Sequence, residues 1–590
     1  MHRRIAFVAL LLLLGIPNSN SCSNILVTPG ASKDGSAMIA YNADSPEVMG
    51  MVYHYPAKES IPEGTMRDVY EWDTGKYLGA IPEASQTYNV VGNINEHGLV
   101  IGETTFGGLL QLTSQPKALI DYGSLIYITL QRSTNAQDAI RTIADLLDTY
   151  GYYSEGESFS IADKSEVWHM ELIGRGKDKV GAVWVAMKIP DGYVGGHANQ
   201  ARITTFPQND AGNCLFSDDV VDFARDMGLY EGSDEDFSFS DTYDPVTFEG
   251  ARFSEARVWS MFSALSDESF QSQYADYAMG TNLTNRMPLF IQPLSKLSIS
   301  DVYDRFSNHY EDSPLDFSSD AGAGRGHSPN RPRPLSWDYQ EVTYINERSI
   351  ATPQTGWNYV AQVRGWLPRE LAAVMWFGAD DSSTAPRVPV YGCATQLSPA
   401  YAGVGPQDGV PNRVLNFDLT KAFFVQNMVS NLAYSRWDVI YPVLSNRLRE
   451  VRELFHSQTM IVETEALQLY HTHGKEAAVE HLTAATVRFG DEMQSLWFQF
   501  YGELFVRFRD GYDIVPDVDN TECECEVKNV GFSDDWKSRI VQETATHYEE
   551  ILSYGVSIGG DGHVIIDKDA FDGTDVEPLT KNKLLLKAMM

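Results

Sequence analysis

Cysteine is scarce in this chain, with five among 590 residues: Cys22, Cys214, Cys393, Cys523 and Cys525. So few cysteines in so long a chain exclude a small fold held together by disulfide bonds, and an odd number leaves at least one unpaired within one chain. Cys523 and Cys525 lie in the acidic run TECECE, which has no second C-x-x-C pair and no paired histidines. We therefore expect an exposed loop there, with or without a disulfide, rather than a zinc site.

Positive charge and long apolar runs are also in short supply. The chain has 45 Lys and Arg against 80 Asp and Glu, a formal net charge of −35. Such a surface repels phosphate backbones and anionic membranes, so nucleic acid is not an expected partner. After the first twenty or so residues no segment reaches the roughly 18 apolar residues that a membrane span requires. An integral membrane span is therefore not expected.

Several catalytic motifs are missing. The sequence has no P-loop, no G-x-S-x-G elbow with a His and an Asp in the expected order, and no H-E-x-x-H. His471, His473 and His481 fall in a stretch with a helical pattern, where exposed polar faces explain them. Nucleotide, serine-hydrolase and zinc-peptidase chemistry are disfavoured, and we expect no metal and no cofactor.

The amino-terminal residues have the pattern of a secretory signal. Residues 2–4 are basic, Ile5–Ile16 is apolar, and Ser19 and Ser21 are the small residues at −3 and −1 of a cut before Cys22. We predict a signal peptide over residues 1–21 and a secreted or periplasmic protein. A lipid-anchored cysteine is the alternative, although such sites usually have Leu where this chain has Ser19.

Short strands joined by turns dominate residues 23 to about 200. Four hairpins are predicted: Ser23–Thr28 with Ala37–Tyr41, Val90–Ile94 with Leu99–Thr105, Phe159–Ala162 with Val167–Ile173, and Val183–Ile189 with Tyr193–His197. Successive hairpins predict antiparallel sheets.

Helices are predicted by caps and by apolar spacing. The pattern gives Tyr122–Arg132, then Ala136–Tyr150 between an Asn135 N-cap and a Gly151 stop, with one face packed on a sheet. Further along, the expected elements are a surface loop over Ser318–Pro334, strands at Trp357–Val363 and Leu371–Phe377, and helices from Asp418 to about Arg509. We expect a main domain over residues 22–415, a helical extension over 416–510, and an acidic region of unassigned role over 511–590.

The first hairpin predicts where Cys22 lies. If its strands pair around a loop centred near residues 32–34, Cys22 faces a position in the low to middle forties, close to Asp44. A cut before Cys22 would then join a thiol, a free α-amine and a carboxylate at one end of a sheet. The amine, with a reference pKa of about 7.7 to 8.0, can accept the proton of a thiol whose reference pKa is near 8.5. This grouping predicts N-terminal-nucleophile catalysis.

The stretch CSNILVTPGASKDGSAMIAYNADS resembles the amino-terminal signature of the C69 dipeptidases. The resemblance continues through YEWDTGKYLG, NINEHGLVIGETTFGG, YGYYSEGESFSIADKSEVWHMELIG, VWVAMKIPDGYVGGHANQARI and WFGADDSSTAPRVPVYG, and covers most of residues 22–431. It implies an α+β fold, the four-layer αββα sandwich of N-terminal-nucleophile hydrolases, here with a mainly helical C-terminal appendage. It also implies hydrolysis of dipeptides or short peptides without metal or cofactor.

By position, the resemblance implies that Cys22 is the nucleophile and Asp44 the carboxylate near the amine. Asn199 matches the asparagine that lines the acyl site near the oxyanion in the related choloylglycine hydrolases. Those relatives have a second asparagine where this chain has Thr105, so Thr104 and Thr105 are substrate-binding candidates and also fit as ordinary strand residues. Many family members carry Arg where this chain has Tyr41, which we expect to donate a hydrogen bond or to line the pocket.

Two other functions remain open from the sequence. The same mechanism fits an amidase or acylase acting on another amide, such as a bile-acid conjugate, because fold and mechanism do not fix the substrate. A lipid-anchored binding protein, with Cys22 acylated and no catalysis, is the alternative from a different class. The sequence does not indicate an oligomeric state.

Overall fold

The structure is a computed structural model that describes residues 22–113, 115–403 and 413–549, together with short strands between 551 and 580. The predicted signal peptide lies outside the described residues. The chain divides into two compact units, Met1–Val506 and Arg507–Met590.

The strands, in chain order, are β1 (Ser23–Val27), β2 (Ala37–Asp44), β3 (Val52–Tyr55), β4 (Met66–Tyr70), β5 (Tyr77–Pro82), β6 (Val90–Val91), β7 (Ile94–Asn95), β8 (Val100–Phe106), β9 (Gly156–Ala162), β10 (Val167–Gly174), β11 (Ala182–Lys188), β12 (Val194–His197), β13 (Cys214–Phe216), β14 (Phe290–Ile291), β15 (Ser336–Tyr339), β16 (Val342–Ile345), β17 (Thr355–Val363), β18 (Ala373–Gly378), β19 (Val388–Tyr391), β20 (Ala402–Gly403), β21 (Tyr512–Pro516), β22 (Cys525–Asn529), β23 (Ile551–Leu552), β24 (Val556–Ile558), β25 (Val564–Ile566) and β26 (Leu579–Thr580).

The α-helices, in chain order, are α1 (Tyr122–Arg132), α2 (Ala136–Tyr150), α3 (Val220–Asp226), α4 (Phe239–Tyr243), α5 (Ala256–Ser263), α6 (Glu268–Ala278), α7 (Ile299–Phe306), α8 (Arg369–Ala372), α9 (Ala422–Ser435), α10 (Trp437–His473), α11 (Lys475–Phe508) and α12 (Asp534–Thr544).

Two sheets form the centre of the first unit. The seven-stranded sheet has the order β14-β12-β1-β2-β17-β18-β19 and is antiparallel throughout. The nine-stranded sheet has the order β13-β11-β10-β9-β8-β7-β6-β3-β20, and its one parallel pair is β3 with β20. With the helices, these sheets make the α+β fold that the sequence predicts.

The two sheets touch where β1 meets β8. The Asn24 side-chain amide donates to the carbonyl of Glu103 at 2.6 Å. A Cβ placed on Gly102 would lie 2.6 Å from the Asn24 side-chain oxygen, so a larger residue at this crossing would displace the Asn24 side chain. This contact fixes the end of β1, where Cys22 lies, against β8.

Helices pack on both sheets. Helix α1 contacts β8 and α2 contacts β9, β10 and β11, whereas α5 contacts β12 and α7 contacts β2 and β17. The bounds of α1 and α2 match the prediction, and the Asn135 side chain caps α2 by accepting from the Asp138 amide. The apolar face of α2, with Ile140 and Ile143, is buried in the core.

Two predicted hairpins are confirmed, β1 with β2 and β9 with β10. The second predicted hairpin was wrong, because its first strand, Val90–Ile94, is not continuous. Gly92, with φ of +56°, turns the chain so that β6 and β7 pair with each other, and β7 meets β8 only at Ile94 and Val100. Strand β8 instead pairs along its length with β9.

The fourth predicted hairpin was also wrong. Strand β11 belongs to the nine-stranded sheet, whereas β12 pairs with β1 in the seven-stranded sheet. The turn between them crosses from one sheet to the other, held by Asp191, which accepts from the Gly30 amide at 2.6 Å, and by the Tyr193 carbonyl, which accepts from the Thr28 amide. This crossing brings residues 197–199 beside Cys22.

The later elements mostly follow the sequence pattern. Strands β17 and β18 occupy the two predicted strand segments, except that Leu371 and Ala372 lie in the short helix α8. The predicted surface loop contains a 3-10 segment, Ala321–Gly326, with Ala323 buried. Helices α9 to α11 fill the predicted helical region and belong mostly to the first compact unit. No helix among the described residues is both long and apolar enough to cross a bilayer.

In the second unit, β21 pairs with β22 and α12 follows. Cys523 and Cys525 form a disulfide. Cys523 lies in the exposed loop that the sequence predicts, whereas Cys525 is half-buried and begins β22.

Candidate active site

Cys22 precedes β1 and is buried, with 6% of its surface exposed. Ser23 pairs with Asn42 across the first hairpin, so Cys22 lies beside the end of β2. Its sulfur is 3.5 Å from the Tyr41 hydroxyl and 3.6 Å from Oε1 of Glu103. The hairpin thus brings Cys22, Tyr41 and Asp44 together as the sequence predicts.

Asn199 faces the main-chain nitrogen of Cys22. That nitrogen donates to Oδ1 of Asn199 at 2.8 Å, and Nδ2 of Asn199 donates to the Thr105 carbonyl at 2.5 Å. Asn199 has φ of +61°, a left-handed conformation that asparagine tolerates better than most residues. The side chain is therefore held between β8 and Cys22.

Arg257 joins the two chain segments that meet at Cys22. Its guanidinium donates to the Cys22 carbonyl at 2.5 Å and to the Ser23 hydroxyl at 2.8 Å. It also donates to the Ala198 carbonyl at 3.2 Å and to Oδ1 of Asn199 at 2.8 Å. One buried arginine therefore positions both Cys22 and the side chain that accepts from its nitrogen.

Asp44 is paired away from the nitrogen of Cys22. Its carboxylate accepts from Arg348 at 2.6 Å and from the Thr355 hydroxyl at 2.6 Å, and all three residues are buried. Burial raises the pKa of Asp44 above its ordinary value, while Arg348 acts in the opposite direction. The backbone of Asp44 is near enough to the Cys22 sulfur to act to lower the pKa of the thiol. Asp44 therefore acts on the thiol through its backbone and through its charge.

A second carboxylate, Glu103, lies on the other side of the thiol. It accepts from the Tyr41 hydroxyl and the Cys22 thiol. Its neighbour Glu157 accepts from the Thr105 hydroxyl at 3.1 Å and from Tyr152 at 3.4 Å. Burial raises the pKa of Glu103 above its ordinary value. Burial and the nearby Glu103 hold the pKa of Glu157 well above its ordinary value, so Glu157 is the member of the pair that keeps its proton.

The thiol is protonated at rest. Burial, followed by the charges of Glu103 and Asp44, raises the pKa of Cys22 well above its ordinary value. Hydrogen bonds from Tyr41 and from the Asp44 backbone act against that rise. Attack by this sulfur therefore requires a neighbouring group that takes its proton.

The structure separates the two candidate threonines. The Thr105 carbonyl positions Asn199, and its hydroxyl binds Glu157. The Thr104 hydroxyl instead lies 2.6 Å from Nδ1 of His197, whose other ring nitrogen is 2.7 Å from the Ser160 hydroxyl. Burial and the neighbouring His169 hold the pKa of His197 well below its ordinary value, so His197 is neutral. Thr104 belongs to this buried network and does not contact Cys22.

A pocket of about 580 Å³, measured with its open mouth, begins at Tyr41 and Glu103. It is lined by Tyr41, Met51, Tyr53, Tyr55, Trp72, Gly92, Asn93, Glu103, Tyr122, Gly123, Ile126, Tyr127, Trp357 and Phe377. Most of the residues in its wall are aromatic. The described residues contain no group of three or more His, Cys, Asp or Glu side chains able to hold a metal ion.

The sequence prediction missed Glu103, Glu157 and Arg257. Glu103 carries a usable signal, since a lone acid within the apolar strand VIGETTF must have a specific partner if it is buried. Arg257 carries none, because it lies 235 residues from Cys22 in a region without a recognisable motif.

Comparison with known proteins agrees with this geometry. The family model of peptidase family C69 matches residues 21–449. A probable dipeptidase of Salmonella dublin is 25% identical over 406 residues, covering 66% of this chain and 85% of that protein. Dipeptidase A of Lactobacillus helveticus is 23% identical over 503 residues, covering 82% of this chain and 96% of that protein. The chain therefore belongs to peptidase family C69.

Proposed function

We propose that this protein is a cysteine-type dipeptidase whose nucleophile, Cys22, becomes the first residue when a signal peptide over residues 1–21 is removed. Its fold is then the four-layer αββα sandwich of N-terminal-nucleophile hydrolases, and it acts outside the cytoplasm. One observation carries the proposal: the nitrogen and the sulfur of Cys22 are held separately, the nitrogen by Asn199 and the sulfur by Tyr41 and Glu103.

The reaction begins with proton transfer from the thiol to the α-amine of the same residue. Oδ1 of Asn199 accepts from that nitrogen and keeps it in place, so its lone pair can receive the proton. The thiolate then attacks the peptide carbonyl carbon, and a tetrahedral oxyanion forms. The protonated amine passes its proton to the leaving amine, and water hydrolyses the resulting thioester.

Asn199 and Asp44 have distinct roles in this scheme. Asn199 first holds the amine, and its Nδ2 group stabilises the oxyanion once it exchanges the Thr105 carbonyl for the substrate oxygen. Asp44, paired with Arg348, holds the end of β2 so that its backbone can donate to the sulfur. Tyr41 donates a neutral hydrogen bond at a position where the resemblance implies an arginine in many family members.

The test is hydrolysis of a panel of dipeptides by the purified secreted protein and by Cys22→Ala. We expect cleavage by the parent and a loss of at least about a thousandfold in the variant, since removal of a nucleophile leaves only residual catalysis. Cys214→Ala is the matched control, because Cys214 is a buried free cysteine elsewhere and should leave turnover unchanged.

The mass of the mature amino terminus completes the test. An unmodified Cys22 as first residue supports the proposal. A lipid adduct on Cys22, or residues retained ahead of it, would contradict the mechanism, because either removes the free amine that takes the thiol proton.

A further inference from the structure

Glu103 is the one carboxyl group in the wall of the aromatic pocket. It is 3% exposed, and its Oε1 lies 3.6 Å from the Cys22 sulfur. The groups that donate to it are neutral: the Tyr41 hydroxyl, the Cys22 thiol, the backbone of Thr105 and the protonated Glu157.

Among the described residues no cation balances this carboxylate, since neither Glu103 nor Glu157 forms an ion pair with Lys or Arg there. Oε2 of Glu103 and Oε1 of Glu157 accept no hydrogen bond from any other described residue. A proton shared between the two carboxyl groups is the one donor open to them in that part of the chain. A buried ionised carboxylate without a counter-charge is strongly destabilising. Burial raises the pKa of Glu103, because the interior disfavours the charged form, and a cation held beside it would favour that form. The geometry of this wall therefore suits a ligand that brings a positive charge.

The rest of the pocket suits an ammonium group attached to an apolar side chain. The rings of Tyr53 and Trp72 meet edge to face with centroids 4.9 Å apart, and Tyr55 stacks on Tyr127 at 4.5 Å. Aromatic faces attract cations and bury apolar groups.

A dipeptide places its own ammonium group at the required distance. Its α-nitrogen and its scissile carbonyl carbon share one Cα, so they are about 2.5 Å apart. When that carbonyl lies at the Cys22 sulfur, the ammonium falls within hydrogen-bond reach of an acceptor 3.6 Å from the sulfur.

We propose that Glu103 binds the free α-ammonium group of the substrate and that the aromatic pocket holds the side chain of its first residue. The protein then requires an unblocked amino end and favours a large apolar or aromatic first residue. The inference rests on the proposed function, because it places the scissile carbonyl at Cys22.

Binding to the inactive Cys22→Ala protein tests the ammonium site without catalysis. The probes are Phe-Ala and its analogue 3-phenylpropanoyl-Ala, which has the same shape without the amine, and calorimetry gives both dissociation constants. We expect Phe-Ala to bind about a hundredfold more tightly, as is typical when a buried charge gains its partner. Equal binding of the two probes would overturn the proposal, whatever the behaviour of any Glu103 variant.

Replacement of the carboxylate assigns the effect. In the double variant Cys22→Ala, Glu103→Gln, the preference for Phe-Ala should fall to about threefold or less. In the control pair Cys22→Ala, Glu166→Gln it should persist, because Glu166 binds Lys188 and Trp168 on an outer turn. A preference that survives in the Glu103 variant would show that another group binds the ammonium.

Hydrolysis by the otherwise unaltered protein separates this inference from the proposed function. Cleavage of Phe-Ala with no cleavage of N-acetyl-Phe-Ala supports both. Equal cleavage of the two overturns the ammonium site and leaves the peptidase intact. Amine-dependent binding without any dipeptide cleavage overturns the peptidase and leaves the ammonium site intact.

Discussion

Two buried carboxylates flank Cys22, and the protein treats them differently. Asp44, at the end of β2, is matched by the cation Arg348 and by the Thr355 hydroxyl. In the part of the chain that the structure describes, the groups that donate to Glu103, in β8, are neutral, and its neighbour Glu157 is protonated. Burial raises the pKa of both carboxyls, but only Asp44 has an arginine that opposes the rise among those residues.

The difference distinguishes a carboxylate that stabilises the fold from one that is available to bind a ligand. The Asp44–Arg348 pair is complete within the protein, so it can fix the end of the first hairpin. The charge of Glu103 is complete only when something else enters the pocket. An unequal pair of this kind lets one residue serve the fold and the other serve the substrate.

The largest expected effect comes from removing the cation on the Asp44 side. Arg348→Met leaves the Asp44 charge buried and unpaired, which should lower the free energy of unfolding by about 3–5 kcal/mol. Lys33→Met is the matched control, since its exposed ion pair with Asp301 should contribute less than about 1 kcal/mol. Urea unfolding followed by circular dichroism measures both. Glu103→Gln leaves no cation unpaired and should not lower the free energy of unfolding. A decrease as large as that of Arg348→Met would contradict the contrast between the two sides of the thiol.

Asn199 tests the side of the nitrogen. Asn199→Gly deletes the acceptor of the Cys22 nitrogen and should lower dipeptide turnover about a hundredfold, equivalent to about 2.7 kcal/mol. Glycine is preferable to alanine here because the φ of +61° would strain an alanine. Steady-state kinetics provide the measurement. Near-normal turnover in a folded variant would exclude Asn199 from the mechanism.

Tyr41 tests how the uncompensated side is held. Tyr41→Phe removes the hydroxyl that binds Glu103 and approaches the thiol. A hydrogen bond to a charged group contributes about 1.5 kcal/mol or more. Turnover should therefore fall about tenfold. Tyr359→Phe is the control, because its ring packs on Tyr41 while its hydroxyl donates to the Ile101 carbonyl. Equal losses in both variants would indicate that packing, and not the hydroxyl, is responsible.

The smallest effect concerns pH. Unfolded Glu157 loses its proton above about pH 4.5, whereas native Glu157 keeps it. The native state therefore binds more protons than the unfolded state, and the contribution of this residue to the free energy of unfolding is lost as the pH rises. In Glu157→Gln the decline of the thermal midpoint between pH 5 and 8 should be shallower. Glu166→Gln should leave that slope unchanged. Burial raises the pKa of Glu166, but hydrogen bonds from Lys188 and Gln137 outweigh it and lower the pKa, so this carboxyl is already ionised over that pH range. An unaltered slope in Glu157→Gln would mean that Glu157 is ionised in the native state.

The sequence predicts the parts of the site that depend on local pairing. A short loop between two apolar strands sets the register of the first hairpin, and that register places Cys22 beside Tyr41 and Asp44. The cap at Asn135 likewise fixes where α2 begins. These features involve neighbours along the chain, so composition and spacing are enough.

The remainder depends on contacts that local patterns do not encode. A turn such as Pro190–Gly192 fits a hairpin as well as a crossing between sheets, and only packing against Gly30 and Thr28 decides. Arg257 and Glu103 reach Cys22 from distant segments, and their burial follows from the assembled fold. Which carboxylate receives a cation is therefore visible only in three dimensions.

The guanidinium of Arg257 holds residue 22 by its carbonyl and by the adjacent serine hydroxyl, both of which lie after the bond that a leader peptidase would cut. The nitrogen contact to Asn199 needs only an N–H, which an amide and an amine both possess. A precursor can therefore assemble this scaffold before processing. On the proposed function, cleavage would free the nitrogen of Cys22 while the contacts of Arg257 stay as they are, so the carbonyl side of this residue would be in place before the amine exists.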